Sequence, residues 1–345
     1  ARLRKRGGDQ AMREIWATTV DPASRFVDRA AVAEQRVWSL FEHGEPAGKV
    51  DLLILGDGYT EAEMEQFHAD AERSAEDLFS VEPFASRRGD FNVRAIDTPA
   101  EESGISRPRS ALFRDPPLGT SYNSLDSERY VLSLDDRAWR DVAAAAPYDV
   151  VLILANSRKY GGGGIYNLYS TAAAGSAFSR YLVIHEFGHH FAGLGDEYYT
   201  SEVSYEDFHG DQVEPWEPNI TALGNPESLK WKDLVTADTP LPTPWAKEEY
   251  EEASRAVQEE RRQLRKEGAR EEELEALFER EQVQMTARLG AEKHAGKVGA
   301  FEGAGYQAQG LYRPAADCIM FTRDEVGFCL VCSRAIERVI DLHSR

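Results

Sequence analysis

The chain has 345 residues, of which 42% are hydrophobic and 10% aromatic, enough apolar material for one large core or two modest ones. Its formal net charge of -20 repels the phosphates of nucleic acids and anionic lipids, so we expect no nucleic-acid partner. The sequence also lacks a run of about 18 consecutive apolar residues, and we therefore expect no transmembrane segment.

The N-terminal part of the chain, residues 1–47, begins with the basic stretch ARLRKRGG and shows no sustained hydrophobic period. We interpret it as a frayed end or as the remnant of an upstream module. The first strong element follows it, so we place the main domain at residues 48–345, interrupted by one insertion. No pattern in either part defines an oligomeric state.

The start of the main domain combines strand and helix signals. The apolar run VDLLILG at residues 50–56 predicts a buried strand, and Thr60 with Glu63 forms a capping box that begins a helix. Apolar residues then recur at three-and-four spacing, at Met64, Phe67, Ala71, Ala75 and Leu78. The runs FNVRAID, from Phe91, and DVVLILA, from Asp149, predict two more strands, the second of them central in a sheet. This order of elements indicates an α/β fold.

A glycine-rich segment, KYGGGGIYNLYS, follows the third strand. Glycines allow another part of the chain or a ligand to approach the backbone closely. We expect a flexible turn that leads into an edge strand, and an extended peptide can pair with such a strand. The residues predicted to bind substrate in this way are Gly162, Gly163, Gly164 and Ile165. A phosphate-binding loop is excluded because no Gly-Lys-Ser/Thr follows the glycines.

Residues 244–292 differ sharply in composition from the rest of the chain, because they are rich in charged residues. Apolar residues at helical spacing and a turn at Gly268 predict an inserted helical hairpin. The hairpin is either a solvated strut with a narrow apolar seam or an arm that binds a partner. The seam consists of Tyr250, Ala253, Val257, Leu274, Phe278, Met285 and Leu289.

The segment SRYLVIHEFGHHFAGLGDEYY carries the most informative chemical pattern. His185 and His189 are four residues apart, so on a helix both imidazoles project from one face at a separation suited to one tetrahedral Zn²⁺. Glu186 lies beside them as a candidate general base. Gly193 supplies a left-handed helix end that turns the chain back toward the metal. His190 points about 100° away, and we expect it to pack or to support a ligand.

Two histidines leave a catalytic zinc ion one protein ligand short. The residues after the turn at Gly193 are Gly195, Asp196 and Glu197, which predicts a carboxylate ligand. The common metzincin spacing, HExxHxxGxxH or HExxHxxGxxD, would place the ligand at position 195, and this chain is one residue longer. Counting three residues on from Gly193 selects Asp196, with Glu197 as the alternative.

The C-terminal part contains a methionine and three clustered cysteines. Met320, in DCIMFT, follows a turn that contains proline, and we expect it in the tight turn beneath the metal that marks metzincins. Three states stay open for Cys318, Cys329 and Cys332. They are a disulfide from Cys318 to one of the other two, a second, structural zinc with a fourth ligand such as His343, or buried free thiols.

With these motifs the sequence resembles the igalysin family, the IgA-peptidase type of metallo-endopeptidase within the metzincins. The resemblance rests on GDGYT, GGGGIYNLYST, HEFGHHFAGLGDEYY, LKWKDL with TPLPTP, and FEGAGYQAQGLYRPAADCIM with FCLVC, in the family's order. It implies a metzincin-like zinc peptidase domain of α/β (α+β) class, a mixed twisted sheet with a backing helix and an active-site helix, plus the helical hairpin. It also implies a bacterial endopeptidase in an extracytoplasmic or secreted location, although no signal peptide is visible. Cleavage of immunoglobulin is not implied.

The expected mechanism has zinc polarising the scissile carbonyl and lowering the pKa of its water to about 7, while Glu186 transfers the proton to the leaving amine. Tyr306 or Tyr312 either donates to the oxyanion or forms a wall of the site. Arg313 holds either a substrate carboxylate or an internal acid such as Asp317. Two other functions stay open, a zinc-bearing binding or adhesion protein with vestigial activity and an exopeptidase or amidase that acts on small substrates.

Overall fold

The structure, a computed structural model, describes residues 2–27, 33–200, 213–323 and 326–344. Within these ranges the strands are β1 (Arg2–Arg6), β2 (Met12–Ala17), β3 (Arg36–Phe41), β4 (Val50–Asp57), β5 (Phe91–Asp97), β6 (Thr120–Ser121), β7 (Leu132–Ser133), β8 (Val150–Ala155), β9 (Gly162–Ile165), β10 (Tyr169–Ala173), β11 (Phe301–Ala304) and β12 (Gln307–Arg313). The α-helices are α1 (Met64–Leu78), α2 (Asp136–Ala143), α3 (Ser179–Ala192), α4 (Lys247–Lys266), α5 (Glu271–Gly290) and α6 (Leu330–His343). None of these helices is long and apolar enough to cross a membrane.

Six strands form one mixed sheet in the order β3–β5–β4–β8–β10–β9. The four inner strands are parallel to one another, whereas the outer strands β3 and β9 are antiparallel to their neighbours. The predicted α/β class is confirmed, and the apolar runs at β4 and β8 are the two central strands. Strand β3 precedes residue 48, so the sheet also includes part of the segment 1–47.

The central strands are apolar on both faces because both faces of the sheet are covered. On β4, Leu52 and Ile54 belong to the hydrophobic cluster that includes helices α1 and α3. The alternate residues Leu53 and Leu55 pack with Trp139 of α2 on the other face. This alternation follows from the two-residue period of a strand, and it explains the continuous apolar run in the sequence.

Helix α1 begins where the sequence predicts it. The Thr60 backbone N–H donates to Glu63 Oε2 at 2.8 Å, and the two side chains form the expected capping box at a short 3₁₀ turn that leads into the helix. The five residues of its predicted apolar face are all buried. Helix α1 packs on α3 and therefore supports the helix that carries the histidine motif.

Helix α3 is buried on nearly all sides. It packs on strands β9 and β10 at one end of the sheet, and its aromatic residues stack into the core. Phe187 lies with its ring centroid 5.5 Å from that of Phe84 and 5.3 Å from that of Phe191. This packing fixes the rotation of α3 about its axis, and with it the direction of the histidine side chains.

Helices α4 and α5 occupy the stretch for which the sequence predicts a hairpin, and Gly268 between them has the left-handed φ of +70° that such a turn requires. Their apolar residues face the rest of the chain. The ring centroid of Phe278 lies 6.0 Å from that of Phe178 and 5.7 Å from that of Tyr160. The seam is thus used for packing within the chain, and a role in binding a partner stays a prediction.

Candidate metal centre

One group of three side chains at the C-terminal half of α3 has the composition and spacing of a metal site. The Nε2 atoms of His185 and His189 lie 3.1 Å apart, and Oδ1 of Asp196 lies 3.1 Å from each of them. Ligand atoms around a tetrahedral zinc ion with bonds of about 2.0–2.1 Å are separated by about 3.3 Å. The three atoms therefore fit a single ion in number, type and spacing.

Hydrogen bonds hold both imidazoles with Nε2 toward this group. Nδ1 of His185 donates to the carbonyl oxygen of Ile319 at 2.9 Å, and Nδ1 of His189 donates to that of Leu194 at 2.6 Å. The hydroxyl of Tyr181 lies 3.1 Å from the same Nδ1 of His185. Because each Nδ1 is committed as a donor, each Nε2 is the nitrogen left to bind a metal ion.

The group is also electrostatically suited to a cation. Burial opposes ionisation of Asp196, but His189 and His185 outweigh this effect and hold its pKa well below the ordinary value. Burial lowers the pKa of His189, but Asp196 outweighs that effect and raises the pKa to about 9. The Asp196 carboxylate thus favours a positive charge beside it, which is either a proton on His189 or a metal cation that replaces this proton.

His190, the residue after the second histidine of the group, points elsewhere. It is buried, and burial lowers its pKa to about 3, so the imidazole is neutral. Its ring centroid lies 5.8 Å from that of Phe187. His190 is therefore a packing residue of the core, one of the two roles that its position on the helix predicts.

The turn after α3 brings the third side chain of the group to the histidines. Gly193 has the predicted left-handed conformation, with φ of +61°, and its N–H donates to the carbonyl of His189. The amide of Asn219 then bonds both backbone groups of Gly195, accepting from its N–H at 2.8 Å and donating to its carbonyl at 2.9 Å. This pairing fixes the chain just before Asp196.

Asp196 and Glu197 point in opposite directions, as expected for adjacent residues of extended backbone. The carboxylate of Asp196 meets the two histidines. Oε1 of Glu197 instead accepts from Asn219 at 2.9 Å and lies 3.4 Å from Sγ of Cys332. Of these two adjacent carboxylates, Asp196 is therefore the one placed to bind a metal ion together with the two histidines.

The chain around Met320 supports the group from below. A Cβ built at Gly188 of α3 would lie 3.1 Å from the sulfur of Met320, so the methionine packs directly beneath the helix. The Met320 carbonyl accepts from the N–H of Glu197 at 2.8 Å, and the preceding carbonyl, of Ile319, accepts from His185. One short segment thus holds both a histidine and the loop that carries Asp196.

Glu186 lies on α3, and its side chain contacts the glycine-rich strand β9. A Cβ at Gly162 would lie 3.1 Å from Cγ of Glu186, and a Cβ at Gly164 would collide with the Glu186 carbonyl. The glycines are therefore required by close contact between β9 and α3. Burial raises the pKa of Glu186, and the nearby histidines only partly offset this effect. A carboxylate with a raised pKa is a stronger proton acceptor than an exposed one.

Strand β9 is at the edge of the sheet, as predicted, but part of its outer edge is occupied. The Gly162 N–H donates to the carbonyl of Arg129, and its own carbonyl accepts from the N–H of Val131, both at 3.1 Å. In an antiparallel pair every second residue directs its backbone groups outward, so those of Gly164 face the same edge. Of the four predicted substrate-pairing residues, Gly162 and Gly164 direct their backbone groups outward, and those of Gly162 are already bonded.

A cavity of about 290 Å³ opens above the group and is lined by Glu186, His185, His189 and Asp196 together with β9. Tyr306 also lines it, and its hydroxyl donates to Oδ2 of Asp196. The second tyrosine considered, Tyr312 on β12, is not among the residues that line this cavity. The structure thus brings five of the predicted site residues into one cavity with the glycine strand.

Residues 38–340 match the IgA peptidase M64 family. The chain belongs to this family. Membership confirms the resemblance seen in the sequence, and it makes the chain a peptidase, a hydrolase that acts on proteins or peptides. The group of two histidines and one aspartate agrees with a metal-dependent member. A comparison with curated proteins finds no match.

Two residues of this M64 peptidase cavity were not predicted from the sequence. Arg129 and Tyr198 both line the cavity, and the guanidinium of Arg129 donates to the hydroxyl of Tyr198 at 2.9 Å. Tyr198 follows Asp196 by two residues in GDEYY, and in an extended chain two such residues point to the same side. This spacing could have placed Tyr198 beside Asp196 in the site. Arg129 lies in a loop far from the motif, and no local pattern marks it.

Arg313 of the M64 peptidase is internal. It is fully buried and donates to the carbonyl oxygens of Gly303 at 2.8 Å and Ala316 at 3.2 Å. Its guanidinium carbon lies 3.7 Å from the centre of the Phe321 ring. Arg313 is therefore part of the core beneath the site, and it does not bind a substrate carboxylate in the cavity.

The three cysteines, all within the described residues, are not disulfide-bonded. The Sγ atoms of Cys318 and Cys332 lie 3.9 Å apart, well beyond the length of about 2.05 Å of a disulfide. His343, considered as a fourth ligand, lies elsewhere, with Nδ1 3.3 Å from Oδ1 of Asp149. Of the three states left open, the structure therefore has free thiols in place of the disulfide, and His343 is not a fourth ligand because it lies at the far end of α6.

Proposed function

We propose that this M64 peptidase is a zinc-dependent endopeptidase of the metzincin type, in which His185, His189 and Asp196 hold the metal. The observation that carries the proposal is the mutual distance of 3.1 Å between the three ligand atoms, with each histidine fixed in the tautomer that a metal needs. Together the three would provide three protein ligands to one ion and would leave room for a water molecule or a substrate oxygen as the fourth ligand. Such an open position distinguishes catalytic from structural zinc.

When bound at these ligands, a zinc ion would act as a Lewis acid and lower the pKa of a water molecule to about 7. The carboxylate of Glu186 takes the proton of the attacking water, because it lines the same cavity and its pKa is raised by burial. The resulting carboxylic acid then delivers this proton to the nitrogen of the leaving amine. Met320 supports the centre from beneath α3, as the methionine of a metzincin turn would.

The substrate lies along the outer edge of β9 as an added strand. The N–H and carbonyl of Gly164 face this edge, whereas those of Gly162 are already bonded to Arg129 and Val131. Pairing through the substrate backbone does not require a chain terminus, which supports cleavage within a chain. Arg129 in the cavity favours the alternative, a carboxypeptidase, because a guanidinium pairs well with a terminal carboxylate.

The proposal is tested by digesting a library of denatured proteins and mapping the new termini. We expect internal cleavage, loss of cleavage with a chelator, and recovery with added Zn²⁺. Glu186→Gln should keep zinc but lose hydrolysis by several orders of magnitude, whereas Glu72→Gln, at an exposed position on α1, should change neither. Near-normal turnover of Glu186→Gln would refute the assignment of the base, and termini released only from chain ends would replace the endopeptidase with an exopeptidase.

A further inference from the structure

A second group of ligand-type side chains lies behind the candidate catalytic centre. It consists of Glu197, Cys318, Cys329 and Cys332, whose ligand atoms all lie within 4.8 Å of one another. Three of these side chains are buried and Cys329 is partly exposed. No part of the proposed hydrolysis uses them. Three sulfurs and one carboxylate in so small a volume match the donor sets that bind zinc.

The distances within this group agree with a four-coordinate ion. In a tetrahedral zinc site with Zn–S bonds of about 2.3 Å, two sulfurs are about 3.8 Å apart, and a sulfur and a carboxylate oxygen are about 3.6 Å apart. The Sγ atoms of Cys318 and Cys332 are separated by 3.9 Å, and Cys332 Sγ lies 3.4 Å from Oε1 of Glu197. Both separations are thus close to those of a four-coordinate zinc site.

Glu197 gives independent evidence for a cation. Its side chain is fully buried, and its Oε2 atom has no hydrogen-bond partner among the described residues. Its other oxygen is fixed by the amide of Asn219. A buried carboxylate oxygen without a partner is strongly unfavourable in an apolar core unless a cation or a donor reaches it. A metal ion held by the neighbouring sulfurs would compensate the charge of this buried carboxylate.

The backbone at the start of α6 can stabilise negative charge on the sulfurs of this group. Cys329 is the residue that precedes helix α6, and Cys332 lies in its first turn, where the helix dipole stabilises negative charge. The backbone N–H of Cys329 donates to Sγ of Cys318 at 3.4 Å, a bond that is stronger when the sulfur is ionised. Deprotonated sulfurs are the form that binds metal ions.

We propose that Glu197, Cys318, Cys329 and Cys332 bind a second metal ion, a structural Zn²⁺ enclosed by four protein ligands. The ion joins three segments that are distant in the sequence, namely the loop after α3, the turn that contains Met320, and the start of α6. Because Glu197 is the neighbour of Asp196, the second ion also fixes the backbone that presents Asp196 to the first. Its role is to hold the catalytic ligands in place, and it takes no part in bond cleavage.

The test counts metal ions in the full chain after saturation with Zn²⁺ and removal of excess ion. We expect two equivalents in the parent protein, one in His189→Ala, and one in the double variant Cys329→Ser/Cys332→Ser, because each change removes one site. Substitution with Co²⁺ assigns the sites, since only thiolate ligands give an intense near-ultraviolet charge-transfer band. That band should persist in His189→Ala and be absent from the double variant.

Thiol reactivity gives a readout that needs no cysteine variant. In the native, metal-loaded His189→Ala protein we expect slow reaction of all three thiols, and a chelator should accelerate it strongly. An equal metal content in the parent protein and in the double variant would overturn the second site, as would thiols that react equally fast with and without chelator. A disulfide detected by mass spectrometry in the metal-saturated protein would also overturn the second site. None of these readouts depends on hydrolysis. The second metal site can therefore be refuted while the proposed peptidase activity holds, and the peptidase activity can be refuted while the second site holds.

Discussion

The hydroxyl of Tyr306 donates a hydrogen bond to Oδ2 of Asp196, across 110 residues of sequence. The other carboxylate oxygen, Oδ1, is the one that faces His185 and His189. The tyrosine therefore fixes the rotation of the aspartate about its side chain, so that one oxygen is offered to the metal. This contact makes Tyr306 a positioning residue for Asp196, the proposed metal ligand.

Tyr306→Phe should weaken binding at the catalytic zinc site by about 10 to 100-fold, because the variant removes the group that orients Asp196. The affinity is measured by titration against a competing chelator. Tyr312→Phe is the matched control, since Tyr312 is outside the set of residues that line the cavity, and it should leave zinc affinity and hydrolysis unchanged. If Tyr306→Phe instead loses hydrolysis at full zinc occupancy, the hydroxyl acts on the oxyanion, as the sequence also suggested.

Asp196→Ala should remove the catalytic zinc ion and all hydrolysis, because it deletes one of three protein ligands. Glu197→Gln keeps the shape of its side chain and should leave the catalytic site occupied, with an affinity reduced by no more than about 100-fold. For both variants the zinc content and the zinc affinity are measured at the catalytic site. That site is identified as the one that is lost in His185→Ala. The opposite order of effects would transfer the ligand role from Asp196 to Glu197.

Gly164→Ala should lower the free energy of unfolding by at least about 2 kcal/mol and abolish hydrolysis. The added Cβ collides with the carbonyl of Glu186 and lies 2.8 Å from Cβ of His189, and neither can move without a shift of α3. Gly224→Ala is the control, because no heavy atom lies within 4 Å of its Cβ, and it should change stability by less than about 0.5 kcal/mol. Denaturant unfolding gives both values, and equal stability of the two variants would refute the close contact of β9 with α3.

Asn219→Ala should lower the free energy of unfolding by about 3 kcal/mol, because it leaves the buried N–H and carbonyl of Gly195 without partners. It should also weaken zinc binding, since Gly195 precedes Asp196. The control is Asn225→Ala, an exposed asparagine that bonds only its own turn, with a loss of at most about 1 kcal/mol. Unchanged zinc affinity in Asn219→Ala would show that the loop holds Asp196 without this amide.

The sequence alone determined the features that depend on neighbours along the chain. The four-residue spacing of His185 and His189 fixes their common face as soon as a helix forms, and the local turn at Gly193 ends that helix. The capping box at Thr60 and the apolar runs of β4 and β8 are equally local signals, and all of them lie where the pattern predicts. The same segments carry the resemblance to the family that the chain belongs to.

Only the tertiary structure decided between side chains that the sequence left equivalent. Asp196 and Glu197 are adjacent carboxylates, and which of them meets the histidines depends on Asn219 and on the carbonyl of Met320, which reach the loop from elsewhere in the chain. Tyr306 and Tyr312 differ for the same reason, since a turn of the β11–β12 hairpin directs only one of them to Asp196. Contacts between distant segments depend on how the whole chain packs, and no local period encodes them.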